Sequence, residues 1–191
     1  MTREEWLNKV AERMAPWYAD LGSPLPAFRV SIGFPSQGKR GKTIGQCWDG
    51  VASKDKHCEI FLRPDLDDPM VLAATLAHEL IHAAIGCQAK HGKAFKRIAV
   101  AIGLEGKMTA TTASPDFLVA VEPILAAVGP VPHGRLNFAS AVTSGPPKQG
   151  TRMIKVECSD CGYTVRTTRK WLDIGAPRCP LHGDMTPESE D

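Results

Sequence analysis

The sequence predicts an α+β domain followed by a linker and a small cysteine-bearing module, and three observations lead to that reading. An almost wholly apolar helical stretch runs from Pro69 to Gly86. Three short strand-like runs precede it. A Pro-, Gly- and Ser-rich stretch at residues 129–150 then separates it from a segment in which cysteines cluster. At 191 residues and 43% hydrophobic composition, the chain can enclose one real core plus an appendage. The expected boundaries are 1–130 for the domain, 131–150 for the linker, 151–183 for the module and 184–191 for an acidic tail.

The first element reads as a helix, because Thr2 and Glu5 have capping-box spacing and Trp6, Val10, Met14, Trp17 and Leu21 form one stripe. Pro16 is expected to kink or end it. Strands are expected at 28–34, 44–48 and 58–62, the first alternating Phe28, Val30, Ile32 and Phe34 with polar neighbours. Between the first two lies a polar turn carrying Lys39, Arg40 and Lys42. In the apolar helix, Asp68 can cap, Pro69 suits the first turn and Gly86 can end it. A helix apolar on nearly every side is normally buried. Further helices are expected at 93–104 and 116–128, the latter bent at Pro123. Beyond the linker, 152–157 and 162–168 read as a hairpin.

The chain has a formal net charge of +2, which says little about partners. Its opening residues carry acids where a secretory signal would be apolar, and no run is long enough to span a membrane, so a cytoplasmic protein without membrane association is expected. In a reducing compartment, the late cysteine cluster points to metal binding rather than disulfides. Cys47, Cys58 and Cys87 read as buried small hydrophobes.

Inside the apolar helix stands His78-Glu79-Leu80-Ile81-His82. The i, i+4 spacing puts both imidazoles on one face, where they can share a metal ion, while Glu79 projects about 100° away and can reach water beside that ion. Three ionisable groups in an apolar helix need partners, since an unpaired buried polar group costs about 2–7 kcal/mol. A catalytic zinc usually takes three protein ligands and leaves one position open. His91, followed by Gly92, is the favoured third ligand and Glu105 the competitor. Three neutral imidazoles would leave the ion its full charge, and Glu79 would serve as general base. No oxyanion-stabilising group is legible: Tyr18, Tyr163, His133 and Arg135 are weak candidates, and His57 and His133 read as surface histidines.

Cys158-x2-Cys161 and Cys179-x2-His182 form two knuckles at zinc-ribbon spacing, four ligands with no open position and therefore a structural ion. The ribbon is basic and carries Arg166, Arg169, Lys170 and Trp171, which suit either a nucleic-acid contact or an ordinary solvated face.

On HELIH, the later HGKAF and the trailing ribbon, the chain resembles the SprT-like metallopeptidases, the family that includes the eukaryotic protease Spartan. In KMTATT, VPHG and RTTRKW it is similar to SprT-like proteins of bacteriophages. The resemblance implies a zincin-like α+β fold, with a small three-stranded sheet, the HExxH helix and a C-terminal zinc ribbon. It implies catalytic zinc on His78, His82 and His91, Glu79 as base, and a second, structural zinc on the ribbon. It also implies that Cys58, Glu59, Ile60, Phe61 and Leu62 line the cleft and pair with an extended substrate. Spartan-like members digest DNA-crosslinked proteins and need DNA, so DNA-stimulated cleavage of nucleic-acid-associated proteins, or of the chain itself, is expected, with a protein substrate and DNA, single-stranded or protein-bound, as partners. Lys39, Arg40, Lys42, Lys93, Lys96 and Arg97 would lie near that DNA. Two features depart from the pattern: the interval from His82 to His91 is shorter than in Spartan, and His182 stands where a cysteine is common. The alternatives are a nucleic-acid-binding regulator with a vestigial site and a peptidase unrelated to DNA.

Overall fold

The computed structural model describes residues 1–138 and 153–187 and divides after Ser140 into two units. In the first, α1 (Arg3–Asp20) opens with the expected capping box: Glu5 N donates to Thr2 Oγ1 at 3.1 Å and Thr2 N to Glu5 Oε2 at 2.7 Å. The helix runs on through Pro16 instead of ending there. Beyond the proline it is anchored by Tyr18, fully buried, whose hydroxyl donates to Ala77 O at 2.9 Å. That buried bond helps offset the roughly 3 kcal/mol an interior proline costs.

Strands β1 (Phe28–Ile32), β2 (Gly45–Trp48) and β3 (Cys58–Leu62) form the three-stranded sheet, in the order β1-β3-β2. β3 is central, parallel to β1 with Phe28 opposite Cys58 and antiparallel to β2 with Gly45 opposite Leu62. Against the sheet lies α2 (Pro69–Ile85), with Leu72, Leu76, Leu80 and Ile81 wholly buried alongside Trp6, Leu7 and Met14 of α1. One core therefore holds the helix that carries the histidines, and its rigidity passes to their positions.

α3 (Lys93–Ala101) stops short of the expected end because Gly103 takes φ +85° and turns the chain into a hairpin, β4 (Leu104–Lys107) with β5 (Ala110–Ala113). Ser114 then caps α4 (Pro115–Val128), its Oγ accepting from Phe117 N at 3.2 Å. Residues 131–138, expected in the linker, are fastened to the first unit. The buried Arg3 guanidinium donates to the carbonyls of His133 at 3.1 Å and Gly134 at 2.9 Å, and Leu136 N donates to Pro64 O at 2.8 Å. The rest of the expected linker, 139–150, lies outside the described residues, as does Arg152.

In the second unit, β6 (Ile154–Glu157) pairs antiparallel with β7 (Thr164–Thr167) and with β10 (Thr186–Pro187). One helical turn, α5 (Arg169–Leu172), and the short pair β8 (Arg178–Cys179) with β9 (Gly183–Asp184) complete it. Structure thus extends four residues into the expected tail. Its buried core is small: Val156, Cys158, Cys179 and Met185. Among the described residues no helix is long and apolar enough to cross a membrane.

Candidate metal centre

The period of α2 sets His78 and His82 one turn apart on one face, and Gly86 at φ +81° ends the helix so that the chain can double back. A tight turn, closed by Ala89 N to Gly86 O and Lys90 N to Cys87 O at 3.1 Å each, then delivers His91. Lys90, the residue before it, has φ +48° and ψ −139°, a conformation that costs about 1–3 kcal/mol. Packing around His91 has to offset that strain.

The three side chains converge through their Nε2 atoms: His91 Nε2 lies 3.2 Å from His78 Nε2 and 3.2 Å from His82 Nε2. Tetrahedral bonds of about 2.0–2.1 Å to nitrogen space ligand atoms about 3.3–3.4 Å apart, so this cluster has the spacing of a metal site. Hydrogen bonding alone does not account for it, because an imidazole nitrogen carries at most one proton and His91 Nε2 faces two neighbours. Burial, reinforced by the adjacent imidazoles, lowers the His78 pKa to about 3; burial and His91 lower His82 to about 4. Burial lowers His91 as well. All three rings are thus held neutral at pH 7, the form that offers a lone pair. Beneath them the fully buried Phe95 ring sits 4.8, 4.7 and 4.8 Å from the His78, His82 and His91 rings, a dry platform for all three. The other ring nitrogen of His78, Nδ1, lies 2.8 Å from Thr111 Oγ1 on β5.

Glu79, 6% exposed, sits beside the cluster but outside it. Its carboxylate rests against β2 so closely that a Cβ on Gly45 would come within 2.7 Å of Glu79 Oε1 and of Thr75 Cγ2. Burial pushes its pKa up to about 8, opposed by a hydrogen bond from the Cys47 backbone. A carboxyl poised near neutrality is suited to taking up and giving back a proton, and a cation beside it would favour the charged form. A cavity of about 1130 Å³ opens here, walled by β2 at Gly45 and Cys47, by α2 at Thr75 and Glu79, and by β5 at Ala110 and Thr111.

The second unit gathers Cys158, Cys161, Cys179 and His182. Cys158 Sγ and Cys179 Sγ each lie 3.6 Å from His182 Nδ1, and Cys161 Sγ lies 3.6 Å from Cys179 Sγ. Tetrahedral bonds of about 2.3 Å to sulfur and 2.0–2.1 Å to nitrogen predict about 3.6 Å between S and N and 3.8 Å between two S atoms. The donors and spacing therefore fit a closed metal site. Gly162 at φ +72° makes the turn after the first knuckle.

Other expectations meet different outcomes. The strand Cys58–Leu62 is corrected as a substrate edge: both of its sides are hydrogen-bonded, to β1 and to β2, so no backbone is left for a peptide. The strand of this sheet that borders the cavity is β2, at the sheet's edge. Glu105 is exposed on β4, paired across the hairpin with Thr112, and is not part of the histidine cluster. Tyr18 is spent in the core, and its phenol is pushed up by burial. His57 is partly exposed, with Nδ1 3.0 Å from Asp55 O, and His133 and Arg135 are exposed. The scattered cysteines are less scattered in space: Cys47 and Cys87 both line the cavity, and Cys87 Sγ donates to Cys47 O at 3.5 Å. Lys39, Arg40, Lys42, Lys93 and Lys96 are exposed, Lys42 at the cavity wall. Arg97 is committed elsewhere, donating to Leu21 O at 3.1 Å and Ser23 Oγ at 3.3 Å to hold the end of α1. On the second unit Arg166, Arg169, Lys170 and Trp171 are exposed, and Lys170 Nζ lies 5.0 Å from the Trp171 ring. Gly45 and Thr111 are site residues that the sequence reading missed.

Among known proteins, the model of the SprT-like family matches residues 11–114, a span that contains α2, His91 and the β4–β5 hairpin. No curated protein and no solved structure matches the chain. The matched span covers more than half of the sequence and includes every residue of the histidine cluster, and the chain belongs to the SprT-like family.

Proposed function

We propose that the chain is a zinc-dependent endopeptidase of zincin-like fold that acts on DNA-associated proteins and is stimulated by DNA. One observation carries the reading: three neutral imidazoles converge through their Nε2 atoms beside the buried Glu79 carboxyl in a cavity of about 1130 Å³. When bound, zinc supplies Lewis acidity, polarising a carbonyl and acidifying water. His78, His82 and His91 would hold it. Glu79 takes the proton from the attacking water and returns it to the departing amine. Because Gly45 has no side chain, that carboxylate can sit hard against β2, with the proton-accepting atom close to where a peptide would lie. An extended substrate lies along the outer edge of β2, meeting the Gly45 main chain, while the Cys47 main chain is engaged by Glu79 and the Cys87 thiol. The β4–β5 hairpin forms the facing wall. On the second unit, Cys158, Cys161, Cys179 and His182 would hold a structural zinc, making a ribbon.

DNA stimulation draws its support from exposed bases on each unit: Lys39, Arg40, Lys42, Lys93 and Lys96 on the first, and Arg166 and Lys170 beside Trp171 on the second. Such groups suit a phosphate backbone and a stacked base. The test is to incubate the zinc-loaded chain with a basic DNA-binding protein, with and without single-stranded DNA. Fragments that increase with DNA, vanish with a zinc chelator and return on adding zinc are expected. Tight, salt-sensitive DNA binding with no cleavage would overturn the peptidase reading in favour of a regulator, and cleavage indifferent to DNA would overturn the DNA dependence.

A further inference from the structure

We infer that Thr111 is a positioning residue for the metal site, holding the ring angle of His78 and accepting the Nδ1 proton of its metal-binding tautomer through a hydrogen bond from the far side of the cavity. The inference rests on the zinc-site reading above. His78 has two ring nitrogens with different tasks: Nε2 points into the cluster, 3.2 Å from His91 Nε2, and Nδ1 lies 2.8 Å from Thr111 Oγ1. A neutral imidazole bears one proton. If it sits on Nδ1, where the threonine oxygen can accept it, Nε2 is left with the lone pair a metal requires. Histidine ligands held this way are turned to one orientation and made more basic.

The placement of Thr111 favours this role. It stands on β5, in register with Gly106 of β4, so no side chain across the hairpin competes for its face. A β-branched residue on a strand has few χ1 choices, which keeps Oγ1 directed at the ring. Among the described residues, His78 is the one member of the cluster whose Nδ1 meets a protein hydroxyl. The hairpin therefore does more than wall the cavity, because it reaches back to a ligand on α2 and ties the substrate-facing surface to the metal site.

The experiment compares wild type, Thr111→Val and Thr111→Ser in the full chain, titrating zinc away with a chromogenic chelator. Valine matches threonine in shape and suits a strand, so the hairpin is retained while the acceptor is lost. The expected result is two zinc equivalents in all three proteins. In Thr111→Val the phase belonging to the histidine site should move to about 10- to 100-fold weaker affinity. The ribbon phase, an internal reference, stays where it is, and Thr111→Ser recovers most of the loss because it restores the hydroxyl. Where cleavage is measurable, the valine variant loses kcat more than it raises KM. Superimposable chelator curves for wild type and Thr111→Val would overturn this inference alone. A wild-type chain with no zinc phase beyond the ribbon would overturn the reading beneath it.

Discussion

Glu79→Gln is expected to cut peptide cleavage by about 10²- to 10⁴-fold while the chain keeps its metal, the range for losing a positioned general base. The expectation follows from where the side chain stands. Glu79 follows His78 on α2 and so projects about 100° away from the ligand face, leaving it outside the three-histidine cluster. Its removal therefore takes no donor from the ion. Glutamine has the same shape, so it fits the gap against Gly45 that admits no extra carbon, and α2 need not move. What changes is chemistry: an amide cannot accept a proton from water at neutral pH, whereas a glutamate carboxylate can, and burial strengthens the hold of this one on that proton. Cleavage rate and zinc content measured on the same preparation check the claim. Undiminished cleavage by the variant would remove Glu79 from the mechanism.

The second large effect concerns the second unit, proposed to be a ribbon. Stripping the metal, or replacing Cys179 by serine, is expected to unfold residues 153–187 while the first unit stays folded. Among its described residues the second unit buries only Val156, Cys158, Cys179 and Met185, with Val165 and Leu172 partly covered, and two of those buried groups belong to the candidate metal cluster. So few apolar side chains cannot offset the entropy of ordering the segment. Zinc binding to such a module contributes about 10–16 kcal/mol of apparent free energy, which is then folding free energy. The first unit, by contrast, has a core running from Trp6 to Leu125 that no metal holds together. Limited proteolysis should show chelator-dependent cutting within 153–187 and protection of the first unit. A ribbon equally resistant with and without metal would contradict the account.

How much of this was legible in the sequence depends on the range over which each feature is decided. The capping box at Thr2 and Glu5, the cap at Asp68 and the two ligand knuckles are local, so spacing alone exposed them. His91 was within reach because Gly86 and Gly92 punctuate a short return. Strand order was not, since whether 58–62 lies at the edge or the centre depends on the parallel pairing of β1 with β3 across an intervening strand. The β4–β5 hairpin escaped because its strands have four residues each and bury only Leu104, too little alternation to register as a period. Thr111 went with it. Gly103 and Gly106, both at positive φ, were the available signals for a turn there. Residues 131–138 look like linker by composition. They are held by Arg3, a contact reaching across almost the whole unit that composition cannot reveal.

The most direct test of the central claim is the zinc content of the purified full chain beside His82→Ala. Two equivalents in the wild type and one in the variant are expected, since the histidine triangle loses a corner while the ribbon keeps its four donors. A single equivalent in both proteins would mean that the imidazoles under α2 hold no ion, and the enzyme reading would fall with it.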